Sequence, residues 1–226
     1  MEGDFFHILN RGVEEREIFY SDEDYLRFAN NFHDFNNTEI ALPYRIRRSK
    51  QIGRATSDRF ISVQKEIVNL LCWCLMPNHV HSLVQEQVDS SASLFSKKIF
   101  GGYTKYINET RKRKGVLFQG RSKIILIEKD EHFFHLPFYI MGNPVSLIEP
   151  AWKEKGIYNL EKVIKFLENY RWSSLPDLIG KENFSENINK SLFYELFDTN
   201  ETRFKKDFIE WLSSYKPSPN LERFID

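Results

Sequence analysis

The two histidines of Met76-Pro77-Asn78-His79-Val80-His81-Ser82-Leu83-Val84 are the strongest concentration of ligand chemistry in this chain. The flanking residues read as a β-strand. Successive strand side chains point to opposite faces, so His79 and His81 share a face while Val80 points away, and one divalent cation can engage both. The spacing alone leaves open a purely structural pair, and a metal would still need a third ligand. Further along, Tyr139 and Asn143 stand four apart in Tyr139-Ile140-Met141-Gly142-Asn143-Pro144-Val145, which on a helix sets a phenol and an amide oxygen side by side. These four residues form a chemically coherent set. Breaking a phosphodiester without water requires a nucleophile that can hold a covalent link, and charge neutralisation at the phosphate. A tyrosine supplies the first. Two neutral imidazoles with an amide oxygen make a mixed N/O site suited to magnesium or manganese.

The elements that must position these groups follow from pattern. Phe5 to Leu9 predicts a strand, and Asp22 or Glu23 to about Phe35 a helix anchored by Tyr25, Phe28 and Phe32. A polar, basic insertion runs from about 37 to 59. Phe60 to Leu75 predicts a long β-type segment, Pro77-Asn78 a turn, and His79 to Gln85 the returning strand of a hairpin. Ser91 or Ser93 can cap a helix running toward Arg113, interrupted at Gly101-Gly102 and stopped by Gly115. Lys123 to Glu128 reads as a strand. Asp130 offers an N-cap for a helix carrying Tyr139 and ending near Asn143-Pro144, although Pro137 should kink that helix or delay its start. His132 and His135 on the same helix read as structural. Strand, helix, hairpin, helix, strand, helix is the order of an α+β fold, a ferredoxin-like antiparallel sheet with helices on one face. Residues 1–150 would form that domain and 151–226 a helical extension with no recognisable motif.

Composition sets the remaining bounds. With 226 residues, 41% hydrophobic and 15% aromatic, the chain can bury a real core as one domain with an extension or two small domains. Cys72 and Cys74, the only cysteines, lie in an apolar run and read as reduced thiols on a buried strand, which suits an intracellular setting. Met1 to Asp4 lacks a signal-peptide pattern and the apolar run from Ile67 to Met76 is too short to span a bilayer, so a cytoplasmic protein is expected. The zero net charge hides a segregation: Lys97, Lys98, Lys105, Arg111, Lys112, Arg113, Lys114, Arg121 and Lys123 face a single acid, Glu109. A second basic run, Arg45, Arg47, Arg48, Lys50, Arg54 and Arg59, is opposed only by Asp58. Concentrated cations of this kind are expected where a polyanion docks, or on a solvated helix face. Tyr103, Tyr106 and Phe118 lie among them, open to base stacking or to core packing.

Over roughly residues 5 to 148 the chain resembles the REP-associated tyrosine transposases, within the HUH single-strand transposase and relaxase group. The resemblance rests on Asn10-Arg11-Gly12 with Ile18-Phe19, the Met76 to His81 block, Leu117-Phe118-Gln119-Gly120-Arg121, and Tyr139-Ile140 followed by Asn143-Pro144-Val145, in that order. It implies that His79, His81 and Asn143 are metal ligands for Mg2+ or Mn2+ and that Tyr139 is the nucleophile. It also implies single-stranded DNA with short hairpins as substrate and a homodimer as the working form. Arg11, Lys97, Lys98, Lys105, Arg111, Lys112, Arg113, Arg121 and Lys123 would contact the DNA. A domesticated DNA-binding regulator without catalysis and an ordinary metal phosphohydrolase acting on nucleotides are the alternatives.

Overall fold

Four β-strands form the centre of the structure, a computed structural model that describes residues 3–38 and 65–215. They are β1 (Phe5–Arg11), β2 (Val68–Met76), β3 (His79–Glu86) and β4 (Lys123–Leu126). The sheet order is β2-β3-β1-β4 and every neighbouring pair is antiparallel. Helix α1 (Asp22–Asp34) connects β1 to the hairpin and α2 (Ser91–Thr110) connects the hairpin to β4, giving the expected ferredoxin-like α+β arrangement. The basic insertion, with Arg45 to Arg59, and the start of the expected strand at Phe60 lie outside the described residues.

The pairing register sorts the side chains onto two faces. Leu9 is opposite His81 and Arg11 opposite His79, while Cys74 and Met76 are opposite His81 and His79 on the other side, so these residues share one face. Ile8, Val80, Ser82 and Trp73 alternate onto the other, where Phe32 of α1 packs on Trp73 and α2 packs on α1 through Phe28, Phe95, Phe100 and Tyr103. The two helices of the ferredoxin-like core therefore occupy one face. Helix α3 (Asp130–Gly142) lies on the face that carries the histidines, with Phe133 against Phe5 and Tyr139 against His81. Being covered on both faces explains why β2 reads as an almost unbroken apolar run, and each such side chain contributes about 1.5–3 kcal/mol by burial.

Three local expectations give way to tertiary context. Helix α2 runs through Gly101-Gly102 without a break. A side chain at Gly102 would lie 2.5 Å from the Phe35 ring, so its glycine serves close helix packing. No serine side chain caps α2; the Glu86 carboxylate at the end of β3 accepts from the Ser90 and Ala92 N–H groups instead. Asp130 is the first helical residue of α3 rather than its cap, and the helix continues through Pro137 into a 3-10 turn over Asn143–Leu147.

The C-terminal region contains α4 (Trp152–Lys155), α5 (Leu160–Leu167), α6 (Leu175–Leu178), α7 (Lys190–Leu196) and α8 (Glu201–Ser214). It closes the open edge of β2: the Leu75 N–H donates to Trp172 O at 2.8 Å, the Ser174 N–H to Trp73 O at 3.0 Å, and Tyr170 Oη to Leu75 O at 2.7 Å. It also walls in α3, with Phe138 stacked among Phe204, Phe208 and Trp211. One hydrophobic cluster runs from Ile8 to Leu212.

Candidate active site

Three features of the hairpin fix the two histidines. The two-residue turn Pro77-Asn78 is gripped by the segment after β1, with the Gly12 N–H donating to Asn78 O at 2.8 Å and the Ile18 N–H to Pro77 O at 2.8 Å. Gly12 is required by this approach, because a Cβ there would sit 2.2 Å from Arg16 O. His79 is half-buried at the mouth of the hairpin. Its Nδ1 lies 2.6 Å from Asn78 Oδ1; an amide oxygen only accepts, so Nδ1 carries the proton and the lone pair of this ring is on Nε2.

His81, one strand step deeper, is fully buried, and its Nδ1 lies 2.9 Å from Nε2 of an equally buried His7. The two rings stack with centroids 5.1 Å apart. His7 belongs to β1, where it stands opposite Leu83, diagonal to His81 on the same face. Burial, reinforced by the nearby His79, His7, Lys153 and Arg11, holds His81 well below the ordinary histidine range, so the ring is neutral at physiological pH. Its Nε2 is buried with no hydrogen-bond partner among the described residues. A buried polar atom left so costs free energy unless a ligand engages it.

Helix α3 brings the phenol to this pair. Leu136, Tyr139, Ile140 and Asn143 recur at helical spacing on the buried side. The Tyr139 ring meets the His81 ring edge-on at 6.0 Å between centroids. Its hydroxyl accepts a hydrogen bond from Lys153 Nζ at 2.7 Å. Asn143, buried one turn on, donates from Nδ2 to Tyr139 O at 2.9 Å, which makes Oδ1 the atom it can present to a ligand. His79, His81 and Tyr139 thus come together within one chain, and Asn143 follows one turn after the tyrosine. No group of three or more His, Cys, Asp or Glu suited to a metal occurs among the described residues. The candidate donor set is two imidazoles and a carboxamide, and the unpartnered His81 Nε2 fits a divalent cation at that place.

The expected DNA-contacting cations divide into two groups. Arg11 is opposite His79 in the register and Lys123 opposite Leu9, so both stand on the histidine face; Arg121 is exposed just before β4. Arg11 also pairs with Glu15 at 3.2 Å. Lys97, Lys98 and Lys105 lie on α2, behind the opposite face. Lys98 hydrogen-bonds the Asn37 carbonyl, Lys105 faces Glu109 at 3.9 Å, and an open groove of about 540 Å³ runs past Thr104, Lys105, Asn108 and Arg113. Lys112 is exposed. Arg111 is drawn into the structure, its Nη2 2.7 Å from the buried Asp24 carboxylate and its guanidinium 4.4 Å from the Tyr20 ring. Tyr103, Tyr106 and Phe118 are core residues: Tyr103 Oη donates to Ile18 O, Tyr106 Oη donates to Asp24, and Phe118 packs on Phe100. Burial takes all three out of reach of bases. His132 and His135 are half-buried, and His135 packs against Trp211 as a structural residue does.

His7 and Lys153 escaped sequence reasoning. The alternation of Phe6-His7-Ile8-Leu9 marks His7 as a strand residue, and the hairpin motif marks His81, but only the β1–β3 register makes them neighbours. Nothing in the local sequence marks Lys153.

No helix among the described residues is long and apolar enough to cross a membrane. No family model and no curated protein matches the chain. Among solved structures, that of the REP-associated tyrosine transposase bound to a REP hairpin is similar at 13% identity and a TM-score of 0.47, covering 83% of this chain and 86% of that one.

Proposed function

We propose that this protein is a transposase-like enzyme that nicks and rejoins single-stranded DNA at hairpin sites through a covalent 5′-phosphotyrosine on Tyr139. The observation that supports the reading is the meeting of Tyr139 with His81 and His79, with Asn143 one turn after the tyrosine and His81 Nε2 buried without a hydrogen-bond partner among the described residues. His79, His81 and Asn143 would hold Mg2+ or Mn2+. When bound, such an ion polarises the scissile phosphate and neutralises charge that builds on it. The Tyr139 hydroxyl oxygen attacks phosphorus in line, the P–O3′ bond breaks, and the 3′ oxygen leaves as a hydroxyl. His7 holds the His81 ring in one orientation through the Nδ1–Nε2 bond. Arg11, Lys123 and Arg121 guide the strand across the histidine face. Because the phosphotyrosine keeps the bond energy, another 3′-hydroxyl can displace it, and strand transfer needs no ATP. A homodimer working in the cytoplasm completes the reading.

The second reading, a DNA-binding regulator without chemistry, draws on the burial of Tyr139, only 1% exposed beneath Lys153. The two part on one experiment. Incubation with single-stranded hairpin oligonucleotides and MnCl2 gives a denaturant-stable protein–DNA adduct if the enzyme reading holds. Binding without an adduct leaves the regulator.

A further inference from the structure

One side chain within hydrogen-bond reach of the reacting oxygen is marked by no motif. Lys153 Nζ is 2.7 Å from Tyr139 Oη and 4.6 Å from the ring centroid. The lysine is carried by α4, whose first residue, Trp152, is 1% exposed and packs against Trp211 and Tyr215, with ring centroids 6.2 Å and 4.5 Å away. The α4 backbone is thereby pinned to the wall behind α3, and the half-buried stem of Lys153 reaches from it to the Tyr139 hydroxyl. Gly156, at φ +78°, turns the chain sharply away immediately after this one-turn helix.

We propose that Lys153 is a catalytic residue of the reaction read above, on which this inference rests: its ammonium aligns the Tyr139 hydroxyl oxygen and neutralises the charge that develops there. In the forward step the Oη–P bond forms and the P–O3′ bond breaks. The phenol proton passes to water, the departing 3′ oxygen takes a proton from water, and Lys153 keeps its own. In the reverse step the phenol oxygen is the leaving group, and the same ammonium stabilises the electron pair it carries away. A donor already aimed at the atom where charge builds needs no reorganisation during reaction, and within a buried site its effect is largely unscreened. The ammonium also adds to the positive field that keeps His81 neutral.

The full chain, with Lys153→Met and Lys153→Arg variants, is tested on a pool of single-stranded hairpin oligonucleotides with MnCl2, measuring the rate of adduct formation and the Kd separately. Lys153→Met is expected to form adduct about 100-fold more slowly than the unaltered chain, the scale of losing one aimed donor, with Kd unchanged. Lys153→Arg recovers most of the rate. Adduct formation by Lys153→Met at the unaltered rate overturns the proposal, as does a loss that Lys153→Arg fails to relieve. If Lys153→Met does not fold, Lys153→Gln, a shorter side chain with a neutral N–H donor in place of the ammonium, is read the same way: a slow rate supports the proposal and an unaltered rate overturns it. Absence of adduct from the unaltered chain overturns the parent reading and this one together, whereas adduct from it and an equal rate from the methionine variant overturns only the role of Lys153.

Discussion

Acid should weaken this fold through His81, and replacing His81 by glutamine should remove that sensitivity. The imidazole is fully buried and held well below the ordinary value of 6.5. Above that value neither folded nor unfolded chain carries a proton there, and the residue adds no pH dependence. As pH falls below it, the unfolded chain takes up a proton that the folded chain refuses, so unfolding gains about 1.4 kcal/mol per pH unit until the depressed folded value is reached. From neutral pH to about pH 5 the loss can reach about 2 kcal/mol at most, a sizeable share of a typical 5–15 kcal/mol stability. His132 and His135 are also pulled down by burial and act with the same sign, but they stay in both proteins and cancel in the difference. Glutamine can still bond to His7, so the variant does not simply strand a second buried ring. The assay is urea unfolding followed by the fluorescence of buried Trp73 and Trp152, in EDTA, at several pH values. The unaltered protein should lose more than His81→Gln between neutral pH and about pH 5, by up to about 2 kcal/mol. Parallel curves would overturn this: the imidazole would then take up its proton at the ordinary histidine value in the folded chain, as a solvated ring does, and would not be sealed in a buried site.

Two further outcomes follow from where the cations sit. Asp24 is 2% exposed and receives the Arg111 guanidinium at 2.7 Å, the Tyr106 hydroxyl at 3.1 Å and the Tyr20 N–H at 2.9 Å. Asp24→Ala, which strands all three donors, should cost about 3–5 kcal/mol in denaturant unfolding, and a cost under about 1 kcal/mol would contradict a structural role for the pair. For single-stranded DNA, contact with about five phosphates predicts a slope of log K against log salt of roughly −3 to −4. Lys123→Gln should reduce that slope by about 0.7 and Arg111→Gln should leave it alone; the opposite order would move the DNA path to the α2 side.

The ferredoxin-like core was legible because its signals are local. Alternation in Phe5 to Leu9, the continuous apolar run of β2, and Pro77-Asn78 between two β patterns each identify an element without reference to the others. The pairs His79 with His81 and Tyr139 with Asn143 follow from the same local periods, and the strand and helix expected to carry them are the ones that do. What lies between elements was not. Asp24 and Arg111 are joined only when α1 packs on α2, so Arg111 read as a surface cation. Tyr103 and Tyr106 stood among basic residues and looked available, but their helix turns both rings into the aromatic layer with Phe19, Phe28 and Phe118. Gly101-Gly102 resembled a break because glycine disfavours helix, a preference overruled by the room Gly102 gives Phe35. The tail after residue 150 offered only scattered aromatics, which acquire meaning once Phe204, Phe208 and Trp211 are seen against Phe138.

The proposed chemistry requires the Tyr139 oxygen to become bonded to a DNA phosphate. A labelled single-stranded hairpin oligonucleotide incubated with MnCl2 and either the unaltered chain or Tyr139→Phe, then resolved under denaturing conditions and mapped by peptide mass spectrometry, tests this. An adduct at Tyr139 is expected in the first, none in the second, and equal DNA binding by both. An adduct that survives in Tyr139→Phe, or cleavage by either protein without any covalent species, would contradict it.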